Sequence, residues 1–262
     1  IYGFVTSGFS LVLDEVNALY RFSGLIENVN NLGTMLGISI PFFYFRGYIS
    51  TDQRQKLTYY GVAGLVAFAL FLTNTRSAFL IMIVYTPFFL YYINKRALKV
   101  LTVLGALTLA VFFFVEELYQ LLTLLFRLER IFSGREVLWD TSINIISDRW
   151  LFGIGPGAFR SESYNYLPVL IGSIGEEAVK FQTGIIEVGH AHNFYLFYFS
   201  EMGIGGFFAA VALPIVYVTL ATKSLKHFKT TDQESYYTVL AVLGTGLGMF
   251  VRGLIEANNL AT

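Results

Sequence analysis

Six apolar runs punctuate the chain, near residues 32–45, 57–73, 78–93, 98–115, 194–221 and 237–255. They are too long and too apolar for a soluble core. About 20 residues of helix, rising about 1.5 Å each, carry a chain across the hydrocarbon layer of a bilayer. The pattern predicts an all-α fold, a polytopic transmembrane helix bundle. The first run is short for a span and is expected to begin earlier. The fifth is long, so it is expected to tilt or to protrude from the membrane, with Pro214 as a kink point.

The polar connections sort by charge. The stretches RGYISTDQRQK (46–56), NKRALK (94–99) and KSLKHFK (223–229) are basic, and they share one side if each run crosses once. The positive-inside rule makes that side cytoplasmic. The opposite side receives residues 1–31, the turn TNTRS (73–77), the long segment 116–192 and the C-terminal end. The cytoplasmic stretches hold six lysines and three arginines. The outer side and outer helix ends hold Lys180 and eight arginines: Arg21, Arg76, Arg127, Arg130, Arg135, Arg149, Arg160 and Arg252. Orientation needs only charge, which lysine supplies. Arginine adds a planar fork of donors that fits phosphate and carboxylate. The outer face therefore has the chemistry to hold an anion. The plain alternative is that most of these arginines pair with outer acids such as Glu116, Glu117, Glu129, Glu136, Asp140 and Asp148.

The segment 116–192 is more than a loop. EELYQLLTLLFRLERIF (116–132) has apolar residues at helical spacing, with acids first and arginines late, as the helix dipole favours. GREVLWDTSINIISDRWLF (134–152) predicts a second amphipathic helix with Leu138, Ser142, Ile145 and Arg149 on one stripe. Trp139 and Trp150, the two tryptophans, suit an interfacial position. The two helices are expected to form a periplasmic cap. GIGPGAF (153–159) then marks a tight turn. It lacks the preceding strand of a dinucleotide fingerprint, and phosphate cradling stays open for it. Residues 161–189 predict no regular element.

Composition supports the membrane reading. The chain is 55% hydrophobic and 14% charged, with a mean hydropathy of +0.59; soluble domains carry about a quarter charged residues. Zero net charge gives no bulk attraction for nucleic acid. The absence of cysteine excludes a disulfide framework and a thiolate metal site. The chain starts at Ile1 and ends in EANNLAT directly after an apolar run, so it is expected to be a piece of a longer membrane protein. The sequence leaves its oligomeric state open.

Four stretches together resemble the O-antigen ligase and polymerase family of bacterial membrane glycosyltransferases. RFSGLIENVNNLG is similar to the family's early outer segment, with Val29 in place of a proline. TNTRSAF resembles its Thr-x-Ser-Arg helix start, with Thr75 where serine is common. GREVLWDTSINIISDRWLFGIGPGAF resembles the arginine helix with its Gly-x-Gly turn. HAHNFYLFYFSEMGIGG resembles the His-x-His-Asn segment followed by Glu-x-Gly-x-x-Gly. The resemblance covers about residues 21–206. It implies a GT-C-like helix bundle in the bacterial inner membrane, with an active site facing the periplasm. The donor would be a glycan on undecaprenyl (polyprenyl) diphosphate. The acceptor would be lipid A-core in a ligase, another lipid-linked glycan in a polymerase, or a protein side chain in an O-linked oligosaccharyltransferase. The reaction is expected to be inverting and to need no cofactor.

Residue roles follow from the resemblance and are weighed against simpler ones. Arg76 and Arg135 match positions expected to clasp the diphosphate. Arg76 sits at a helix start, where the dipole gives an arginine nothing; the simpler role is snorkelling to the interface. Arg135 opens the cap helix, where a guanidinium at a helix N-terminus makes an anion site; the simpler role is pairing with an outer acid. Arg21 and Arg149 are secondary candidates. His192 matches the catalytic position, as general base or as the group orienting the acceptor hydroxyl. His190 is its less certain partner, sharing a face with it if the segment is extended. The two histidines with Glu187 could begin a zinc or manganese site, yet they are an incomplete ligand set, and the arginines can neutralise the diphosphate, so no metal is expected. Asn193 doubles as a helix cap. Glu201, an acid in an apolar run, is functional by default. Gly203, Gly205 and Gly206 are expected to permit close helix packing. A transporter or flippase for an anionic lipid is the competing class, although its site would be expected near the midplane on broken helices.

Overall fold

The computed structural model describes residues 11–14, 19–22, 28–114, 135–168 and 190–256. Two short strands, β1 (Leu11–Asp14) and β2 (Leu19–Phe22), pair antiparallel, with Leu11 opposite Phe22. This hairpin was not foreseen. Helices follow: α1 (Val29–Ile49), α2 (Gln53–Thr73), α3 (Arg76–Ile93), α4 (Lys95–Phe114), α5 (Arg135–Arg149), α6 (Phe159–Glu162), a 3-10 turn (Ser163–Tyr166), α7 (Phe194–Phe228) and α8 (Gln233–Arg252). The fold is an all-α membrane helix bundle, and α2, α3 and α7 are long and apolar enough to cross a bilayer. Four of the six apolar runs lie wholly within a long helix; the run 237–255 outlasts α8, which ends at Arg252, and the described part of the run 98–115 lies in α4. The expected helix at 116–132 lies outside the described residues, as do Glu116, Glu117, Arg127, Glu129, Arg130, Lys180 and Glu187.

Short polar side chains set where most of the long helices start. Asn28, Asp52, Asn94, Asn193 and Asp232 each accept backbone N–H bonds from residues two and three positions on. Each cap contributes about 1 kcal/mol to its helix. The Asn28 cap explains why α1 begins before its apolar run. Asn74, left-handed at φ 49°, ends α2, and α3 begins two residues later.

Exposure runs opposite to that of a soluble protein. Leu65, Phe68, Phe71, Ile83 and Phe208 are 61–66% exposed, whereas Thr34, Thr73, Thr75 and Ser200 are fully or almost fully buried. Apolar side chains facing outward and small polar ones packed between helices suit a lipid solvent, where helices associate through close packing and hydrogen bonds.

By contacts the described residues fall into two compact units, one within 11–89 and 215–252, the other within 90–214 and 253–256. In the first unit, glycines on α8 let helices approach. A Cβ on Gly244 would fall 2.2 Å from the Phe89 ring, and one on Gly248 would fall 2.7 Å from Ile81. Phe89 then meets Phe45 edge-on at 4.9 Å, and Phe45 stacks on Tyr237 at 5.5 Å. Near the start of α3, Thr75 Oγ1 donates to the Val29 carbonyl at 3.3 Å, and a Cβ on Gly33 would fall 2.7 Å from the Thr75 side chain. Two of the four family-like stretches thus pack on each other, directly beside Arg76.

The second unit is built on α5. Ile145, Phe159, Ala191 and Phe197 form a buried cluster, and Leu138 packs with Leu167 beside it. The Asn144 amide donates to the Tyr166 carbonyl at 2.9 Å, and Tyr166 Oη donates to Asp148 at 2.8 Å. Leu138, Ser142 and Ile145 are buried as the stripe predicts. Arg149, the last residue of α5, and Trp150 are exposed.

Candidate active site

The second unit brings Arg135 and His192 to one carboxylate. Arg135 opens α5; its Nη2 donates to Glu256 Oε2 at 3.1 Å, and its Nη1 donates to the Ile255 carbonyl. The other carboxylate oxygen, Oε1, lies 2.6 Å from His192 Nδ1. Glu256 is 6% exposed, so its carboxylate meets protein partners, these two among them, far more than water. A carboxylate beside a guanidinium accepts hydrogen bonds. In the neutral ring, Nδ1 then carries the proton and Nε2 the lone pair. That is the tautomer of a base that takes a proton at Nε2.

The backbone around His192 is tied in place. His192 is left-handed at φ 49°, a conformation that costs a non-glycine residue about 1–2 kcal/mol. The Asn193 amide donates to the Leu254 carbonyl at 2.9 Å, and the Phe194 N–H donates to the Gly253 carbonyl at 2.7 Å. Asn193 Oδ1 caps α7 through the Tyr195 and Leu196 N–H groups, both at 3.0 Å. Residues 192–194 are thus stitched to 253–256. The left-handed turn brings the His190 and His192 rings edge to face at 4.2 Å, and His190 Nδ1 accepts the His192 N–H at 3.3 Å. The pair is neither helical nor extended.

One nitrogen on each histidine and a Glu256 oxygen lie within 4.8 Å of one another. This is a possible metal triad, with Glu256 where the sequence suggested Glu187. The Glu256 oxygens also contact His192 and Arg135, so an ion here would share the carboxylate with those two partners.

Arg76 is half-buried at the start of α3 in the first unit. Arg149 pairs with Asp148 at 3.0 Å, both exposed. The Tyr166 hydroxyl and the Arg149 guanidinium hold the Asp148 carboxyl below its ordinary range. Arg21 lies on β2 opposite Val12. Glu201 is buried and its Oε1 accepts the Phe159 N–H at 3.1 Å. The glycine turn does not offer its first N–H groups to a phosphate, because Ile154 and Gly155 donate to the Ser200 and Glu201 carbonyls at 3.0 and 2.9 Å. Gly203 does not serve helix packing; at φ 63°, ψ −153° it breaks α7. Pro214, the expected kink point, lies inside α7.

Residues 61–211, more than half of the chain, match the family model described as O-antigen ligase (Wzy_C). The chain belongs to the O-antigen ligase family. A comparison with curated proteins finds no match. This is a family of O-antigen ligase- and polymerase-type membrane glycosyltransferases, whose substrates are a lipid-linked glycan and an acceptor. The matched stretch of this O-antigen ligase family member includes Arg76, Arg135, both histidines and Glu201, and ends before Glu256. The sequence reading missed Glu256. Its one signal was an acid directly after the last apolar run, on the same expected side as the histidines.

Proposed function

We propose that the protein transfers a glycan from a polyprenyl diphosphate, of the undecaprenyl type, to an acceptor hydroxyl at the periplasmic face of the bacterial inner membrane. The observation that carries the reading is the string from Arg135 through Glu256 to His192. The acceptor O–H attacks the anomeric carbon as the bond from that carbon to the phosphate oxygen breaks. His192 Nε2 takes the hydroxyl proton, and Glu256 stabilises the resulting imidazolium through Nδ1. The diphosphate is already a good leaving group and needs cations where charge develops rather than a strong acid. Arg135 spends two of its five N–H donors on Ile255 and Glu256, leaving others for phosphate oxygens; the family resemblance alone supports Arg76 as a further arginine for the diphosphate. One displacement inverts the anomeric centre. No metal takes part, because guanidinium groups supply the positive charge.

The acceptor reading is lipid A-core, as for a ligase, with the polymerase and protein oligosaccharyltransferase reactions as alternatives of the same chemistry. Offering lipid A-core, lipid-linked repeat units and a protein acceptor separately to the purified protein tests this. Product on the first alone supports the ligase. Lipid movement with no glycosidic product on any acceptor moves the protein to the transporter class.

A further inference from the structure

We infer that Glu201 is a positioning residue for the His192 site, latching the glycine turn onto the broken helix α7 so that Phe159 is fixed in the buried cluster that includes Ala191, the residue between the two histidines. The inference rests on the reading of His192 given above. A carboxylate that is 5% exposed is costly unless its oxygens are used. Glu201 Oε1 accepts the Phe159 N–H at 3.1 Å.

The backbones close the same joint. Ile154 and Gly155 donate to the Ser200 and Glu201 carbonyls, and Ile204 donates back to the Trp150 carbonyl at 2.8 Å. The fit leaves no room for side chains. A Cβ on Gly153 would lie 2.4 Å from the Glu201 carbonyl, and one on Gly203 would lie 2.2 Å from the Leu151 carbonyl oxygen. The break at Gly203 is therefore the socket into which the 153–159 turn docks.

The consequence reaches the histidines through packing. Phe159 is completely buried with Ile145, Ala191 and Phe197. Ile145 lies on α5, the helix that begins at Arg135, and Ala191 joins His190 to His192. Both arms of the site rest on a cluster that Phe159 completes, and the Glu201 carboxylate fixes Phe159 through its N–H. What Glu201 supplies is a hydrogen-bond acceptor at a fixed place.

Three variants separate this from a role for its charge. Glu201→Gln keeps an acceptor and loses the charge. Glu201→Asp keeps the charge and withdraws the acceptor from Phe159. Glu201→Ala loses both. With the lipid-diphosphate donor and the acceptor that the wild type uses, Asp and Ala should lower kcat about 10- to 100-fold with little change in KM, the scale of a small misplacement of reacting groups. Gln should retain most of the turnover. Carbethoxylation of His192 by diethyl pyrocarbonate, followed by peptide mass spectrometry, reads the same geometry without requiring activity. Its rate should match wild type in Gln and change several-fold in Asp and Ala. If the wild type shows no transfer, the functional reading fails and the modification rates still decide the latch. Gln behaving like Ala in the available readouts, or Asp and Ala behaving like wild type in them, overturns the inference.

Discussion

Replacing Glu256 by glutamine removes the charge at the centre of the site while keeping its shape. In the wild type, Oε1 stands 2.6 Å from His192 Nδ1 and Oε2 stands 3.1 Å from Arg135. When His192 takes the acceptor proton, the ring becomes a cation facing a buried carboxylate. A hydrogen bond to a charged partner contributes about 1.5–3 kcal/mol. Losing that from the transition state slows turnover roughly 10- to 150-fold. A glutamine amide turned toward Nδ1 would also move the ring proton to Nε2 and take away the base's lone pair. The effect should fall on kcat more than on KM for the donor, because the carboxylate acts where charge develops. The assay is initial-rate transfer by purified protein in nanodiscs, with thermal unfolding followed in parallel. Rates within twofold of wild type in a well-folded Glu256→Gln protein would refute the role assigned to this carboxylate.

Other substitutions test other parts. Arg135→Lys keeps one charge but loses the fork that reaches both Glu256 and the Ile255 carbonyl; kcat should fall and KM for the donor should rise, measured in the same assay. Gly203→Ala puts a Cβ 2.2 Å from the Leu151 carbonyl oxygen at dihedrals almost reserved for glycine, and should cost about 3 kcal/mol, seen as a lower Tm or loss of protein from the membrane. Asn193→Asp retains the cap acceptor and loses the amide donor to Leu254, so helix α7 should persist by circular dichroism while turnover drops. The Asp148 carboxyl is held below its ordinary range, so its stabilising contact is full above that range and lost as pH falls through the lowered value. Asp148→Asn should therefore flatten the acid side of the plot of Tm against pH.

Much of the framework was legible because membrane solvent writes itself along the chain. Each apolar run became a helix, and Asn193 capped α7 as its residue type suggested. The first helix begins ahead of its apolar run, as expected, because its cap, Asn28, sits outside the run it serves. The site was less legible because its contacts are long-range. Glu256 meets His192 across 64 positions and Arg135 across 121, and no local pattern connects them. Arg135 did find an acid, as the simpler reading held, but the acid came from the far end of the chain rather than from its own helix. Gly203 looked like a packing glycine because its unusual dihedrals are demanded by the 153–159 turn, which is remote in sequence. The left-handed backbone at His192 likewise follows from the ties to 253–256.

The most direct measurement compares wild type and His192→Ala with a synthetic polyprenyl-diphosphate glycan, in exhaustive EDTA, scoring both donor binding and product. The expected result is donor bound by both proteins, product from wild type despite the chelator, and none from the variant. Product from His192→Ala at the wild-type rate would contradict His192 as the base, and wild-type activity lost in EDTA and restored by zinc or manganese would contradict metal-free transfer.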